Sequence, residues 1–546
     1  MSERTTRDAA AGVGAAAADE GGEGGVTARG AEVSEPARSI PLSEASRSAG
    51  ASGASRASAT SGADGDATGA AGTIARAAAI ESAAPAHAAE SALVAELGDE
   101  LVTRSAAIEP RYFTAYNESL GVRPCALVRP ISVDDVSRTL ALCARLRQPV
   151  VPQGGLTGLA FGSVALGGEV VLSMERFAGI EAIDVAAGTM IVRAGTTLQA
   201  VQEAAEAAGF AFGVDLGARG SCQIGGMLAT NAGGTRAIRF GMMREQTLGI
   251  EAVLADGTVV TSLNRMLKNN AGYDVKQLFI GSEGTLGVIT RVVLRLHPPL
   301  AAPATALCRV SDYDTLVRLW RDVRATLPCV VSFEAMWPAF YRYVAAHTPG
   351  VTPPFDAGDA GDDFVVLIEC AASDPRTDAR DALEQCLGAC FDAGLVTDAA
   401  LAASERQTRD MWTLREGLAI DALPHLLNFD VSLPVAELGA FAERCDAALR
   451  VRWPHAVCLC FGHVGDGNVH VGVSLADLPA HGAECVERVV YEIVRAMGGS
   501  ISAEHGIGVL KRPYLGYSRS AAEIGVMRAM KSALDPLGIL NPGKVL

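Results

Sequence analysis

Apolar and polar residues recur with helical and strand-like periods over most of this chain. The run Ser-Val-Asp-Asp at 132–135 is typical of a capping box and predicts a helix that continues to about Arg147. A short apolar run at 149–151 then predicts a strand. A second helix is predicted to begin after Thr197, to bury the apolar residues along one face, and to end at Gly209. This alternation predicts a mixed α and β protein.

Three further features divide the chain into parts. Asp256-Gly257 lies between two β-rich runs and predicts a hairpin. After His297 the glycine-rich character fades, and strand-like runs such as 364–368 alternate with amphipathic helices. The first 88 residues are mostly Ala, Gly and Ser, with too little apolar bulk to offset chain entropy, so we predict a disordered tail. These patterns predict a tail at 1–88, a first folded part at 89–298 and a second folded part from 299 onward.

Composition and charge narrow the classes of partner and compartment. The 546 residues are 49% hydrophobic and 20% charged, which is typical of a globular enzyme. The net charge of -16 disfavours a nucleic-acid partner, because phosphate binding requires a basic face. The 12 cysteines form no C-x-x-C pair and no secretory signal is recognisable, so we expect reduced thiols in the cytoplasm. No apolar run of about 18 residues is present, so we expect no transmembrane segment.

Glycine-rich loops in the second part predict a site for a phosphorylated ligand. The Rossmann pattern G-x-G-x-x-G is not found in the part predicted to be ordered, which disfavours a nicotinamide cofactor. Instead, a loop at 152–158 follows a strand, and its glycines free backbone N–H groups that can surround a pyrophosphate. Similar loops occur at 217–234 and 281–287. Each loop alone is equally consistent with tight turns, but three together favour a long ligand.

Histidines and a glutamate in the last hundred residues predict a metal site. A hairpin that turns at Asp466-Gly467 would pair His463 directly with His470. Their side chains would then lie on one face, with the two Cβ atoms about 5 Å apart. Further along, Glu504 and His505 lie in a turn of small residues. Two histidines and one carboxylate form a common open metal site that suits zinc, manganese or iron. The alternative is a pair of hydrogen-bonded core histidines beside a surface Glu-His pair.

A carboxylate-binding arginine is predicted at Arg415, because a guanidinium grips a carboxylate through two parallel N–H bonds. The alternative is an ordinary surface arginine of a helix, paired with Glu416 or Asp410.

The glycine loops and the histidine motifs together resemble the FAD-linked oxidases of the vanillyl-alcohol oxidase and p-cresol methylhydroxylase type. The resemblance covers about 90–546 and narrows to the D-2-hydroxyglutarate dehydrogenase and D-lactate dehydrogenase branch. It implies an α+β fold, with an FAD-binding domain of two α+β subdomains at 89–298 and an α+β substrate or cap domain with an antiparallel sheet at 299–515. The segment 516–546 would return to the FAD domain. The loop 152–158 lacks the histidine that carries covalent flavin in some relatives, so we expect non-covalent FAD.

The resemblance also implies roles for individual residues. The positions of His463, His470 and Glu504 hold a divalent metal in the branch, for which we expect zinc or manganese. The position of His505 is the catalytic base and contacts the substrate, and Arg415 matches the substrate-binding arginine. The residues that match FAD-binding segments are Pro152, Gly154, Gly155, Thr157, Gly158, Leu216, Gly220, Ser221, Ile224, Gly225, Thr230, Asn231, Gly233, Ile289 and Asn541.

Three positions depart from the branch's hydroxyglutarate enzymes. Where those enzymes carry a threonine, a lysine and an asparagine that help to bind the substrate, this chain has Ala419, Asn428 and Gly472. We keep Asn428 as a candidate substrate contact. The lost polar contacts disfavour a five-carbon dicarboxylate and favour D-lactate or another monocarboxylic hydroxy acid.

We therefore predict an FAD-dependent dehydrogenase that oxidises a small D-2-hydroxy acid, of the D-lactate or D-2-hydroxyglutarate type, to the 2-oxo acid. One alternative is a flavin-binding electron-transfer subunit with a vestigial metal site, and another is a metal-free oxidase of alcohols or sugars. The electron acceptor is left open among a quinone, an electron-transfer flavoprotein, a cytochrome and oxygen. We expect a cytoplasmic protein, with membrane association through the acceptor and a homodimer both left open.

Overall fold

A computed structural model describes residues 83–114, 121–301, 303–358, 361–374, 376–479 and 481–546. The predicted disordered tail falls outside these ranges up to residue 82. From there a helix, Ala83–Leu97, is present, so the prediction of disorder is wrong for residues 83–88. Ala89 and Leu93 of this helix are buried in the first hydrophobic core. Their spacing of four residues places both on one face, which explains why an Ala-rich segment folds here.

The first sheet contains a strand, helix and strand unit whose helix begins at a capping box. Ser132 Oγ accepts the backbone N–H of Asp135, and Asp135 Oδ2 accepts that of Ser132, so the predicted cap is confirmed. The helix Val133–Leu146 ends at Arg147, which has a positive φ. The sheet contains one antiparallel and two parallel strand pairs. Its strands in spatial order are Val102–Arg104, Ala126–Val128, Val170–Ser173 and Val150–Gln153.

The second sheet is antiparallel and contains the predicted hairpin. Thr247–Val253 pairs with Val259–Ser262, and Gly257 in the turn has a φ of 89°, a conformation that favours glycine. The predicted helix is also confirmed, because Leu198–Ala207 begins after the cap Thr197. The strands in spatial order are Ile180–Asp184, Thr189–Arg193, Val288–Arg295, Thr247–Val253 and Val259–Ser262.

The third sheet is antiparallel and forms the largest core. One face packs against four helices, and the opposite face carries apolar residues at one end and polar residues at the other. Because side chains alternate along a strand, Glu334, Asp430 and His470 share that second face. The strands in spatial order are Asp398–Leu401, Ala304–Val310, Phe364–Cys370, Val330–Met336, Val457–Gly462, Asn468–Ser474 and Leu427–Ser432.

The end of the chain returns to the first sheet, as predicted. Leu540 forms a parallel bridge with Val150, and Asn541 N donates to Val150 O at 2.8 Å. Ile539 and Leu540 are buried in the same core as Val150. The helices not yet named are Ile224–Thr230, Ala237–Phe240, Met243–Gln246, Lys276–Phe279, Tyr313–Thr326, Pro338–His347, Ala379–Asp392, Glu405–Glu416, Leu438–Arg452, Gly482–Ala496, Leu515–Ser518 and Ala521–Leu534.

Candidate functional site

The three glycine-rich loops line one cavity of about 340 Å³. Most of the residues predicted to contact a cofactor lie on its wall. Of the others, Ile224 is fully buried and Asn231 Oδ1 accepts the backbone N–H of Arg244, whereas Gly220 and Ser221 are exposed. The predicted residues on the wall are Pro152, Gly154, Gly155, Thr157, Gly158, Leu216, Gly225, Thr230, Gly233 and Ile289. Those outside the wall are Gly220, Ser221, Ile224, Asn231 and Asn541.

Two glycines allow the backbones of the cavity wall to touch. A Cβ added at Gly155 would lie 1.9 Å from the backbone oxygen of Ser221, which belongs to the next loop. A Cβ at Gly225 would lie 2.7 Å from the Cβ of Ala194. Both distances are far below van der Waals contact. Glycine is therefore required at these positions for the loops to form a continuous wall.

The wall offers hydrogen-bond acceptors to a polar ligand. The side-chain oxygens of Gln153 and Gln223 are buried and have no hydrogen-bond partner among the described residues. Both residues line the cavity. Because buried polar atoms are nearly always satisfied in folded proteins, a ligand with N–H and O–H groups fits this wall. Sequence reasoning missed both glutamines, which lie inside the glycine-rich runs without a distinguishing pattern.

The predicted metal and base residues come together at one end of this cavity. Glu504 and His505 line the cavity itself, together with the glycine loops. His463 Nε2 lies 3.7 Å from Glu504 Oε1. The ring centroids of His463 and His470 are 5.2 Å apart, and those of His470 and His505 are 6.5 Å apart. Four side chains from three segments therefore surround one small volume.

The predicted register of the histidine hairpin is wrong, although the two rings do meet. His470 is paired with Phe461 and not with His463. The strand ends at Gly462, and a short helical turn, Val464–Asp466, precedes Gly467, which has a φ of 85°. This turn is longer than the predicted two-residue turn, so His463 lies outside the strand. Its ring lies beside that of His470.

A buried ion pair that the sequence did not predict orients His463. Glu334 Oε2 accepts N–H groups of Arg415, and Glu334 Oε1 lies 2.9 Å from His463 Nδ1. Burial alone would raise the pKa of Glu334, but Arg415 and His463 outweigh it and lower the pKa to about 2. Arg415 is only 5% exposed, so the surface-arginine alternative with Glu416 or Asp410 as its partner is wrong.

Asp430 is a second buried carboxylate that sequence reasoning missed. Its Oδ2 accepts the backbone N–H groups of residues 503–505, and Asn468 Nδ2 donates to Oδ1 at 2.7 Å. Burial alone would raise the pKa of Asp430, but His505, Lys511 and His470 hold it below its usual range. The loop that carries Glu504 and His505 is thereby attached to the third sheet.

Burial opposes the charged form of all three histidines, but Glu334 outweighs it at His463 and raises the pKa of that ring. Burial, reinforced by His463, lowers the pKa of His470 to about 3. Burial also lowers the pKa of His505, despite the nearby Asp430. Burial and the surrounding carboxylates raise the pKa of Glu504 to about 7, against the opposing effect of His463.

A metal site is not fully formed in this arrangement. Within the ranges that the structure describes, no group of three or more His, Cys, Asp or Glu side chains is close enough to hold an ion. The donor chemistry nevertheless suits a divalent cation. His463 directs Nδ1 to a carboxylate, as metal-bound histidines usually do, and this leaves Nε2 facing Glu504.

The substrate positions that depart from the family lie beside the histidines. Asn428 is exposed and is paired in register with Gly472. It precedes Asp430 by two residues, so both lie on the same face of the sheet. A Cβ at Gly472 would meet the side chains of Leu426 and Ile420 at 3.3 and 3.4 Å. The two nearest neighbours of such a Cβ are therefore apolar, and the neutral amide of Asn428 follows at 3.7 Å.

Comparisons with known proteins assign the family. Residues 124–262 match the family described as FAD binding domain, and residues 300–545 match FAD linked oxidases, C-terminal domain. The chain is 39% identical over 426 residues to the mitochondrial D-2-hydroxyglutarate dehydrogenase of Bos taurus, covering 77% of this chain and 76% of the relative. It is 38% identical over 429 residues to the D-2-hydroxyglutarate dehydrogenase of Xanthomonas citri pv. viticola, covering 77% and 89%.

A solved structure supports the fold independently. p-Cresol methylhydroxylase with bound substrate superposes with a TM-score of 0.68 at 16% identity, covering 85% of this chain and 97% of that one. The chain belongs to the FAD-linked oxidases and is a flavin-dependent oxidoreductase with the predicted α+β fold. Across the described ranges, no helix combines the length and apolar character needed to span a bilayer.

Proposed function

We propose that this protein oxidises a small D-2-hydroxy acid to the corresponding 2-oxo acid with FAD as the electron acceptor. The observation that carries the proposal is that Glu504 and His505 line the same cavity as the glycine loops. The names of the bovine and Xanthomonas relatives support the substrate class. A base and a flavin site that share one cavity are what removal of hydrogen from a hydroxylated carbon requires.

The second part of the chain, 89–298, would hold FAD without a covalent bond, because the loop 152–158 contains no histidine. The backbone N–H groups of the glycine loops suit the pyrophosphate, and Gln153 and Gln223 supply acceptors for other polar groups. When bound, FAD takes up the hydrogen and two electrons that leave the substrate C2. The residues 299–515 would hold the substrate, and 516–546 would close the flavin domain, with Asn541 bridging Gly162 O and Glu283 O.

His505 is proposed as the base that accepts the hydroxyl proton of the substrate. Its burial favours the neutral ring, which is the form that can accept a proton. Arg415 is proposed to bind the substrate carboxylate, with Asn428 as a further contact. Because Glu334 already occupies Nε and one Nη of Arg415, only the remaining N–H groups of the guanidinium can serve that purpose.

A divalent metal, zinc or manganese, is proposed to be held by His463, His470 and Glu504. The support is the donor chemistry, the carboxylate behind His463, and the crowding of buried acids that a cation would relieve. The chemistry that such a metal supplies is polarisation of a bound hydroxyl group. The three side chains would have to draw closer together than they lie here.

The substrate is proposed to be of the D-lactate or D-2-hydroxyglutarate type. The surroundings of Gly472 favour a monocarboxylic acid, because a second carboxylate there would contact Leu426 and Ile420 and have the neutral amide of Asn428, rather than a cation, beside it. The acceptor that reoxidises the flavin stays a prediction among a quinone, an electron-transfer flavoprotein and a cytochrome. Cytoplasmic location, membrane association and a homodimer also stay predictions.

Anaerobic mixing with matched acids tests the proposed function. The purified, metal-supplemented holoprotein is mixed with the D and L forms of lactate, 2-hydroxybutyrate, malate and 2-hydroxyglutarate. We expect D acids, and not their L forms, to bleach the flavin absorbance. If none of the acids bleaches the flavin, the proposal is contradicted and the alternative of an electron-transfer subunit is favoured. The wide spacing of the metal donors among the described residues is the observation that supports this alternative.

A further inference from the structure

One buried side chain, Asp430, holds the loop that carries Glu504 and His505. Its Oδ2 accepts three successive backbone N–H groups, from Ala503 at 3.2 Å, Glu504 at 2.8 Å and His505 at 3.1 Å. Asp430 lies in the strand Leu427–Ser432, and its side chain is fully buried. Because charge-assisted hydrogen bonds are strong in a buried setting, this carboxylate fixes the loop to the sheet.

The same carboxylate faces the imidazoles of the site. Oδ2 lies 3.6 Å from His505 Nδ1, and Oδ1 lies 3.9 Å from His470 Nδ1. Asn468 Nδ2 donates to Oδ1 and to a backbone oxygen, which prevents Asp430 from rotating. A carboxylate that faces Nδ1 of an imidazole favours the tautomer with its proton on Nδ1, and Nε2 is then free to accept one.

A buried lysine, Lys511, lies close to the carboxylate of Asp430. Lys511 Nζ lies 4.0 Å from Oδ2 and donates to Ser502 Oγ at 3.2 Å and to the backbone oxygen of Asp430 at 3.4 Å. Lys511 is itself buried, so its positive charge lies beside the carboxylate of Asp430 away from solvent. Lys511 therefore compensates the negative charge of Asp430, whose Oδ2 also accepts from the loop and faces His505.

We propose that Asp430 is a positioning residue for His505: it fixes the loop and holds the ring as the Nδ1–H tautomer, leaving Nε2 for the substrate hydroxyl. This inference rests on the proposed role of His505 as the base. Asp430 acts through His505 and is not required to touch the substrate. The role differs from simple structural support, because it makes the tautomer of one ring depend on one carboxylate.

The variant Asp430→Asn tests the role by kinetics in the holoprotein. The amide has nearly the same shape but cannot accept from the loop and His505 with both oxygens. We expect flavin content and KM to stay within about threefold, the rate of flavin reduction to fall by about 100-fold, and the solvent isotope effect to rise. A variant whose remaining holoprotein reduces its flavin at the wild-type rate would overturn the proposal.

Asp535→Asn is the matched control, because Asp535 is also buried and accepts the backbone N–H groups of Ile539 and Leu540. It faces no imidazole of the site. We expect this variant to lose stability and to keep the wild-type rate of flavin reduction per bound flavin. An equal fall in both variants would overturn the positioning role, since anchoring of any loop would then suffice.

A measurement on the wild-type holoprotein needs no substrate. The nine histidines are labelled with nitrogen-15, and the signal of His505 is identified by its absence in His505→Gln. The proposal predicts the Nδ1–H tautomer for His505, and an Nε2–H tautomer would overturn it. If no hydroxy acid reduces the flavin, the proposed function fails while this spectrum still decides the role of Asp430.

Discussion

Glu334 and Arg415 form a buried ion pair, with Arg415 Nη2 2.6 Å from Glu334 Oε2. The other oxygen of Glu334 lies 2.9 Å from His463 Nδ1. One carboxylate from the third sheet therefore links the proposed substrate arginine to a proposed metal ligand, and the position of each depends on the other.

Removing the charge of Glu334 is predicted to destabilise the protein strongly. In Glu334→Gln, Arg415 stays buried without a charged partner, and we expect the free energy of unfolding to fall by about 3–5 kcal/mol. Urea unfolding measures this change. The control Arg450→Ala breaks an exposed pair with Asp446 and should cost no more than about 1 kcal/mol. Equal effects of the two variants would show that Glu334 is not needed to compensate Arg415.

Replacing Lys544 with methionine is predicted to stabilise the protein. Lys544 is 2% exposed, and its Nζ has no hydrogen-bond partner among the described residues. Burial lowers its pKa to about 8, against the attraction of Glu169. Since a buried unpaired ammonium is unfavourable, Lys544→Met should raise the free energy of unfolding at pH 7 by about 2 kcal/mol.

The pH dependence of that gain has a definite sign. Between pH 8 and pH 10.5 the unfolded chain binds the Lys544 proton and the folded chain does not, so wild-type stability rises with pH across this window. The advantage of Lys544→Met should therefore shrink between those values. The control Lys531→Met should destabilise instead, because Lys531 Nζ donates to Thr285 O and Leu540 O. A constant advantage at every pH would contradict the account.

Replacing Gly155 with alanine is predicted to weaken the binding of FAD. In Gly155→Ala the added methyl group would collide with Ser221 O and separate two loops of the cavity wall. Overpacking of this kind costs about 1–3 kcal/mol, which corresponds to FAD binding weakened by about tenfold or more. Titration of the apoprotein with FAD measures it. Gly525→Ala is the control, because its Cβ would meet open space, and unchanged affinity in both variants would contradict the prediction.

Features with a local signal were predicted well from the sequence. The cap at Ser132 and the hairpin at Gly257 depend on residues a few positions apart, and both were confirmed. The turn between His463 and His470 was predicted with the wrong register. Its conformation depends on positive φ at Gly467 and on a helical turn before it, neither of which a count of residues reveals.

The two acids that organise the site were missed for a different reason. Glu334 and Asp430 each interrupt an apolar strand, and a single acid in a strand does not identify its partner. Their partners Arg415 and His505 lie 81 and 75 positions away along the chain. The packing of a helix and a loop against the third sheet brings these groups together, so no local pattern in the sequence predicts their contacts.

Removal of metal is predicted to stop flavin reduction and to leave flavin bound. Dialysis of the holoprotein against a chelator should remove about one divalent ion per chain, and zinc or manganese should restore the rate. The flavin should remain, because the glycine loops are separate from His463 and His470. Metal-free protein that reduces its flavin at the full rate would contradict the proposed ligand role of these histidines and of Glu504.

The most direct test of the account is rapid anaerobic mixing of His505→Gln with the D-2-hydroxy acid that reduces the wild-type flavin. Glutamine keeps a polar side chain in the cavity but cannot act as a base. The account predicts normal flavin content and a rate of flavin reduction lower by about 100- to 10,000-fold. A wild-type rate in this variant would contradict the claim that His505 removes the proton over the flavin cavity.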